Sequence, residues 1–89
     1  MNEPSTVTTW SVDIQLGEHQ GHSHAQVRLH TQAPTALTAT GRADLSPRDP
    51  QDVPEIGFEL AAGRALIALG EKLVRTGRDD VDALSESER

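Results

Sequence analysis

The sequence predicts an α+β fold: a three-stranded antiparallel meander packed against one long helix and a short C-terminal helix, in the order β-β-β-α-α. Two observations carry this. Stretches beginning at Trp10, Ala25 and Leu37 alternate apolar and polar residues with a period of two, as strands with one buried face do. The segment Asp52–Leu73, DVPEIGFELAAGRALIALGEKL, then switches to a helical period behind a helix start signal. A helix laid across one face of a meander is the simplest way to bury both apolar sets.

Residues 1–7 read as a disordered lead-in, residues 8–84 as one domain and residues 85–89 as a flexible tail. In the first strand Trp10, Val12, Ile14 and Leu16 alternate with Ser11, Asp13 and Gln15. Gly17 to Gly21, GEHQG, reads as a hairpin turn. In the second strand Ala25, Val27 and Leu29 alternate with Gln26, Arg28 and His30. A turn at Gln32–Thr35 with Pro34 follows, then Leu37, Ala39, Gly41, Ala43 and Leu45. That third strand is weak in side chains to pack, and Gly41 marks either a bulge or a close backbone approach. Ser46–Val53, with two prolines, is a crossover rather than a strand.

Asp52 is the expected N-cap, Glu55 completes a capping-box pattern and Pro54 sits in the first turn. Ile56, Leu60, Leu66, Ile67, Leu69, Leu73 and Val74 form the expected sheet-facing side. Gly63 and Gly70 share it and are expected to let the sheet or a second helix come close. Gly77 is the expected C-cap, with Asp79 or Asp80 capping the short second helix. The helix is expected to cover Trp10, Val12, Val27 and Leu37. The opposite sheet face would show Asp13, Gln15, Gln26, Arg28, His30 and Arg42.

At 89 residues the chain forms a single domain with an aliphatic core, since it has one Trp and one Phe, and no Cys to add a disulfide. Self-association would relieve so small a core. Eight basic residues against fourteen acidic ones give a net charge of −6, which opposes binding to nucleic acid. No signal peptide and no membrane span are evident, so a cytoplasmic location is expected.

The strings WSVDIQLGEHQGHSHAQVRL (Trp10–Leu29), GRADLSP (Gly41–Pro47) and VPEIGFELAAGRALIALGEKL (Val53–Leu73) resemble a family of small actinobacterial proteins. That family is a domain of unknown function found among dormancy- and stress-associated proteins, with a double-stranded-RNA-binding-domain-like fold. The resemblance covers Trp10 to Val81 and implies a cytoplasmic protein, dimeric, with no known activity. Likeness in shape to ribosome hibernation factors makes a ribosomal role the analogy to weigh. The chain departs from the family at Gly63, where a residue with a Cβ is common, and in the extra histidines of its first hairpin.

Four sets of residues carry candidate chemistry. Glu18, His19, His22 and His24 are a zinc or nickel set, against the plainer reading of a solvated hairpin. Asp13 and Arg28 form a cross-strand ion pair, with Arg42 pairing Asp13 or Asp44, and that polar face is either plain surface or a self-association surface. Glu59 falls within the apolar face and calls for a hydrogen-bonding partner. Arg64, Lys72, Arg75 and Arg78 make a thin basic stripe for RNA, interrupted by acidic residues. No nucleophile triad or phosphate loop is present, so a non-enzyme without a cofactor is expected. The first expectation is a stress-associated protein acting through protein contact as a homodimer. The second is a ribosome- or RNA-associated factor.

Overall fold

A computed structural model of the protein describes residues 6–44 and 54–87. Strands β1 (Ser11–His19), β2 (His22–His30) and β3 (Leu37–Asp44) are followed by one helix, α1 (Pro54–Ser87). The sheet order is β1-β2-β3, all antiparallel. Asp52, the expected N-cap, lies outside the described residues, as do Leu45, the crossover and residues 1–5.

The first turn is tighter than the expected five-residue loop. Both strands continue to His19 and His22, leaving only Gln20 and Gly21 between them. Their φ values of 50° and 80° are both positive, as a type I′ hairpin turn requires. The Glu18 carboxylate accepts the Gly21 N–H at 3.0 Å and ties the turn. At the next turn the Thr31 hydroxyl accepts the Ala33 N–H at 3.0 Å.

The core is built from small residues. Ala25, Val27 and Leu29 from β2, Ala39 and Ala43 from β3, and Ala61, Ala65 and Leu69 from α1 are buried together. Gly41 is the point of closest approach. A Cβ there would collide with the carbonyl of Ala61 and the backbone of Ala65. The β2–β3 register runs through Gly41 without interruption, so the glycine marks a close approach and not a bulge. Gly57 does the same from the helix side, where a Cβ would meet the Ser23 hydroxyl.

This seating corrects three expectations about α1. First, the helix lies over β3 and β2 and touches β1 least. Val27 is buried and Leu37 half-buried, but Trp10 and Val12 are not covered. Second, only Leu69 and Leu73 of the expected apolar side pack against the core, whereas Ile56, Leu60, Leu66, Ile67 and Val74 are exposed. The Gly57, Ala61, Ala65, Leu69 row faces the sheet because nothing larger fits over Gly41. Third, Gly63 and Gly70 do not bring the sheet close, since a Cβ at either, as at Gly77, would meet nothing within 4 Å. Glu59 is exposed as well and needs no buried partner.

The short second helix does not form. Gly77 keeps a helical φ, and α1 runs through Asp79 and Asp80 to Ser87. Arg75 and Arg78 stand four residues before Asp79 and Asp82, the spacing at which opposite charges support a helix. Residues 85–87, expected in the tail, are helical. α1 is therefore about 50 Å long, roughly twice the length of β3, and the molecule extends to 59 × 35 × 22 Å. From Val74 onward every described side chain is exposed.

Two substitutions test the small-residue contact by urea denaturation. Gly41→Ala should cost about 1–3 kcal/mol, because the added methyl meets helix backbone that cannot rotate away. Ser23 is buried and its hydroxyl has no hydrogen-bond partner among the described residues. Ser23→Ala should therefore raise stability by roughly 1 kcal/mol.

Candidate functional site

Strand alternation sorts the side chains of the sheet onto two faces. Away from the helix, β1 presents Asp13 and Gln15, β2 presents His22, His24, Gln26, Arg28 and His30, and β3 presents Arg42 and Asp44. Asp13, Gln15, Gln26 and Arg28 line a small polar hollow between β1 and β2 on this face. Asp13 and Arg28 stand directly opposite in register. The Asp13 carboxylate nevertheless reaches diagonally to His30, with Oδ2 at 2.6 Å from Nε2. The expected Asp13–Arg28 pair is thus replaced by Asp13–His30.

A second carboxylate–imidazole pair closes the other end of the face. His22 Nδ1 lies 2.8 Å from Asp44 Oδ1, across a direct β2–β3 pair. That hydrogen bond holds the Asp44 carboxyl below its ordinary value. Partial desolvation opposes it, and the charges of His22, Arg42 and Arg64 assist. Each imidazole has one ring nitrogen oriented by a carboxylate, but both pairs sit on an open sheet surface.

The four candidate metal ligands of the first hairpin are drawn to different places. Glu18 points into the turn, His22 is taken by Asp44, and the His24 ring lies over Gly17. Among the described residues no three His, Asp or Glu side chains are placed to hold a metal ion. The basic stripe is also divided. Arg64 donates to the Arg42 carbonyl at 2.7 Å and Lys72 to the Thr38 carbonyl at 2.6 Å. These two side chains cover the outer edge of β3, a means of blocking unwanted strand pairing. Arg75 and Arg78 are exposed on the overhanging half of α1.

On the helix side of the sheet lies a surface that strand alternation alone did not reveal. Val12, Ile14 and Leu16 stand opposite Leu29, Val27 and Ala25 and share their face. The β2 residues are buried beneath α1, whereas Trp10, Val12, Ile14 and Leu16 are 53, 39, 42 and 45% exposed. An uncovered apolar row thus runs along β1, whose outer edge is also open in the sheet order.

With this geometry in view, comparison with known proteins places the chain. A family model described as Rv2632c-like matches residues 8–89, and the chain belongs to that family. It is 40% identical over 76 residues to "Uncharacterized protein MT1780" of Mycobacterium tuberculosis (strain CDC 1551 / Oshkosh), covering 85% of this chain and 79% of that protein. It is 35% identical over 75 residues to "Uncharacterized protein Rv2632c" of Mycobacterium tuberculosis (strain ATCC 25618 / H37Rv), covering 84% and 78%. The crystal structure of Rv2632c superposes with a TM-score of 0.81 at 32% identity, covering 91% of this chain and 94% of that one. No helix among the described residues is long and apolar enough to cross a membrane.

The Asp44–His22 pair has a defined pH signature. A carboxyl whose folded value is depressed adds stability above its unfolded value and loses it as pH falls through the folded one. In His22→Ala, carboxyl carbon NMR should show Asp44 titrating higher, back toward the ordinary value of 3.8. No movement would mean that the pair does not persist in solution.

Proposed function

We propose that this member of the Rv2632c-like family is a non-enzymatic cytoplasmic protein of a stress or dormancy response that works by protein–protein contact, with self-association as part of that role. One observation carries the contact reading: Val12, Ile14 and Leu16 lie on the core side of the sheet and, with Trp10 just before β1, stay exposed beside α1. Contiguous apolar surface of this kind marks contact sites. The open edge of β1 beside it suits a partner that adds backbone hydrogen bonds as well as side chains. The stress and cytoplasmic setting comes from the resemblance of the Trp10–Leu29 and Val53–Leu73 strings to small stress-associated actinobacterial proteins. The sheet with a helix across one face is also the part of the fold that suits a likeness to double-stranded-RNA-binding domains.

RNA binding is the weaker reading. Of the four basic residues considered for it, Arg64 and Lys72 are engaged with β3 carbonyls, and the net charge of −6 opposes phosphate.

Affinity capture from a stationary-phase lysate distinguishes the two. A stoichiometric protein partner should be recovered with or without nuclease, with little change between 50 and 200 mM salt. Ile14→Asp should reduce its recovery at least ten-fold while leaving the circular dichroism spectrum intact. Ribosomal proteins recovered at 150 mM salt and lost on nuclease treatment would replace this reading with the RNA one.

A further inference from the structure

The outer face of α1 carries a second apolar line that the sheet does not use. Ile56, Leu60, Ile67, Val74, Val81 and Leu84 are 45–65% exposed. Their spacing, with Gly63, Gly70 and Gly77 in the intervening places, alternates steps of four and three without a break from 56 to 84. That is a heptad seam, the pattern by which one helix packs against another. Leu60, Ile67, Val74 and Val81 take one core position. The glycines take the other and stand open, since a Cβ at any of the three would touch nothing within 4 Å. Hollows at Gly70 and Gly77 are floored by Ile67, Val74 and Val81 and flanked by the charged side chains Glu71, Arg75, Arg78 and Asp82. Glycine weakens a helix interior, so three of them on an exposed line serve nothing within the monomer.

We propose that this seam is the homodimer interface, in which a second copy of the chain lays its α1 antiparallel against the first. Antiparallel pairing sets Leu60 opposite Gly77 of the second copy, Ile67 opposite its Gly70 and Val74 opposite its Gly63. Each branched side chain enters the space that a glycine leaves open. Parallel pairing would put glycine on glycine at every second layer and leave a void there.

Charge selects the register. Antiparallel seams bring flanking residues of the same heptad class together. In the register above, Arg64, whose Nη1 keeps its bond to the Arg42 carbonyl while its remaining N–H groups stay available, lies beside Glu71 of the second copy, and two-fold symmetry repeats the pair. Sliding by one heptad in one direction sets Arg64 against Arg64. Sliding the other way sets Arg64 against Arg78 and Glu71 against Glu71. The chosen register also brings Glu59 and Asp80 alongside at the two solvent-exposed ends, where screening is strongest.

The overhang is accounted for by the same pairing. Isolated helices shorter than about 12–15 residues are marginal in water, yet α1 continues from Val74 to Ser87 with no sheet beneath it. In the dimer this half rests on the sheet-supported half of the other helix. The assembly is four layers, sheet–helix–helix–sheet. Its contact strip, roughly 40 Å long and one helix diameter wide, is of the same order as the ~800 Å² per partner of a stable interface.

This inference deepens the contact reading above but uses a different surface, so the two fail separately. Sedimentation velocity of the full chain at tens of micromolar should show a dimer, and Ile14→Asp should remain dimeric. Gly70→Leu should weaken dimerisation at least ten-fold with the helical dichroism retained, because its side chain points into open space in the monomer. Arg64→Glu and Glu71→Arg should each be impaired alone and should form a heterodimer when mixed. A wild-type monomer at 100 µM, a Gly70→Leu protein that dimerises like wild type, or a mixture that stays unpaired would each overturn it.

Discussion

The contact between backbone and backbone at Gly41 governs the rest of this structure. β3 presents Ala39, Gly41 and Ala43 to the helix, and α1 answers with Ala61 and Ala65. With so little side chain between the layers, dispersion is gained by nearness rather than by bulk. A helix can come this close only on a face that is itself small. The choice of face then follows from sterics, and the larger aliphatic residues of α1 have to turn elsewhere.

That choice leaves many of the protein's large apolar side chains outside the core. Helix over β3 and β2 means helix not over β1, so the Trp10–Leu16 row stays open. A core made mostly of alanines also gives up much of the transfer free energy that leucines would provide, at ~25 cal/mol per Å² buried. Arg64 and Lys72 add two hydrogen bonds to β3 carbonyls and fix the helix laterally. The result is a domain whose monomer is held by shape and a few polar ties, while its larger side chains are available for contacts with other chains.

The sheet was legible in the sequence because alternation is a local property. β1 and β2 show it directly, and even β3, poor in side chains, keeps the period. The long helix was legible from its start signal and period. What could not be read was which side of α1 would face the sheet. Ile56, Leu60 and Ile67 are the more hydrophobic choice, and an argument from hydrophobicity selects them over Gly57, Ala61 and Ala65. The decisive fact is pairwise: small residues on α1 meet small residues on β3, and no single segment contains that information. The polar face was legible as a set of residues, but the partners within it were not. Diagonal reach from Asp13 to His30 prevails over the direct Asp13–Arg28 pair, and only side-chain geometry decides between them.

The glycines show why residue type is a poor guide here without position. Gly21 is needed for a turn with positive φ. Gly41 and Gly57 are needed because another chain segment occupies the place of their side chains. Gly63, Gly70 and Gly77 have neither reason: their conformation is helical and their surroundings are empty. Their seven-residue spacing was present in the sequence, and a heptad count would have separated them from the sheet-facing row. A period of 3.6 and a period of 3.5 differ by only about 20° per heptad. Over the four turns that contact the sheet, the buried row and the exposed seam lie on opposite sides of α1, so apolar residues occur all round the helix and no single stripe stands out. The seam stands alone in the half of α1 beyond Leu73, where no sheet competes and the heptad positions Val74, Gly77, Val81 and Leu84 continue unchanged. A pattern maintained where the fold no longer requires it belongs to a contact outside the fold.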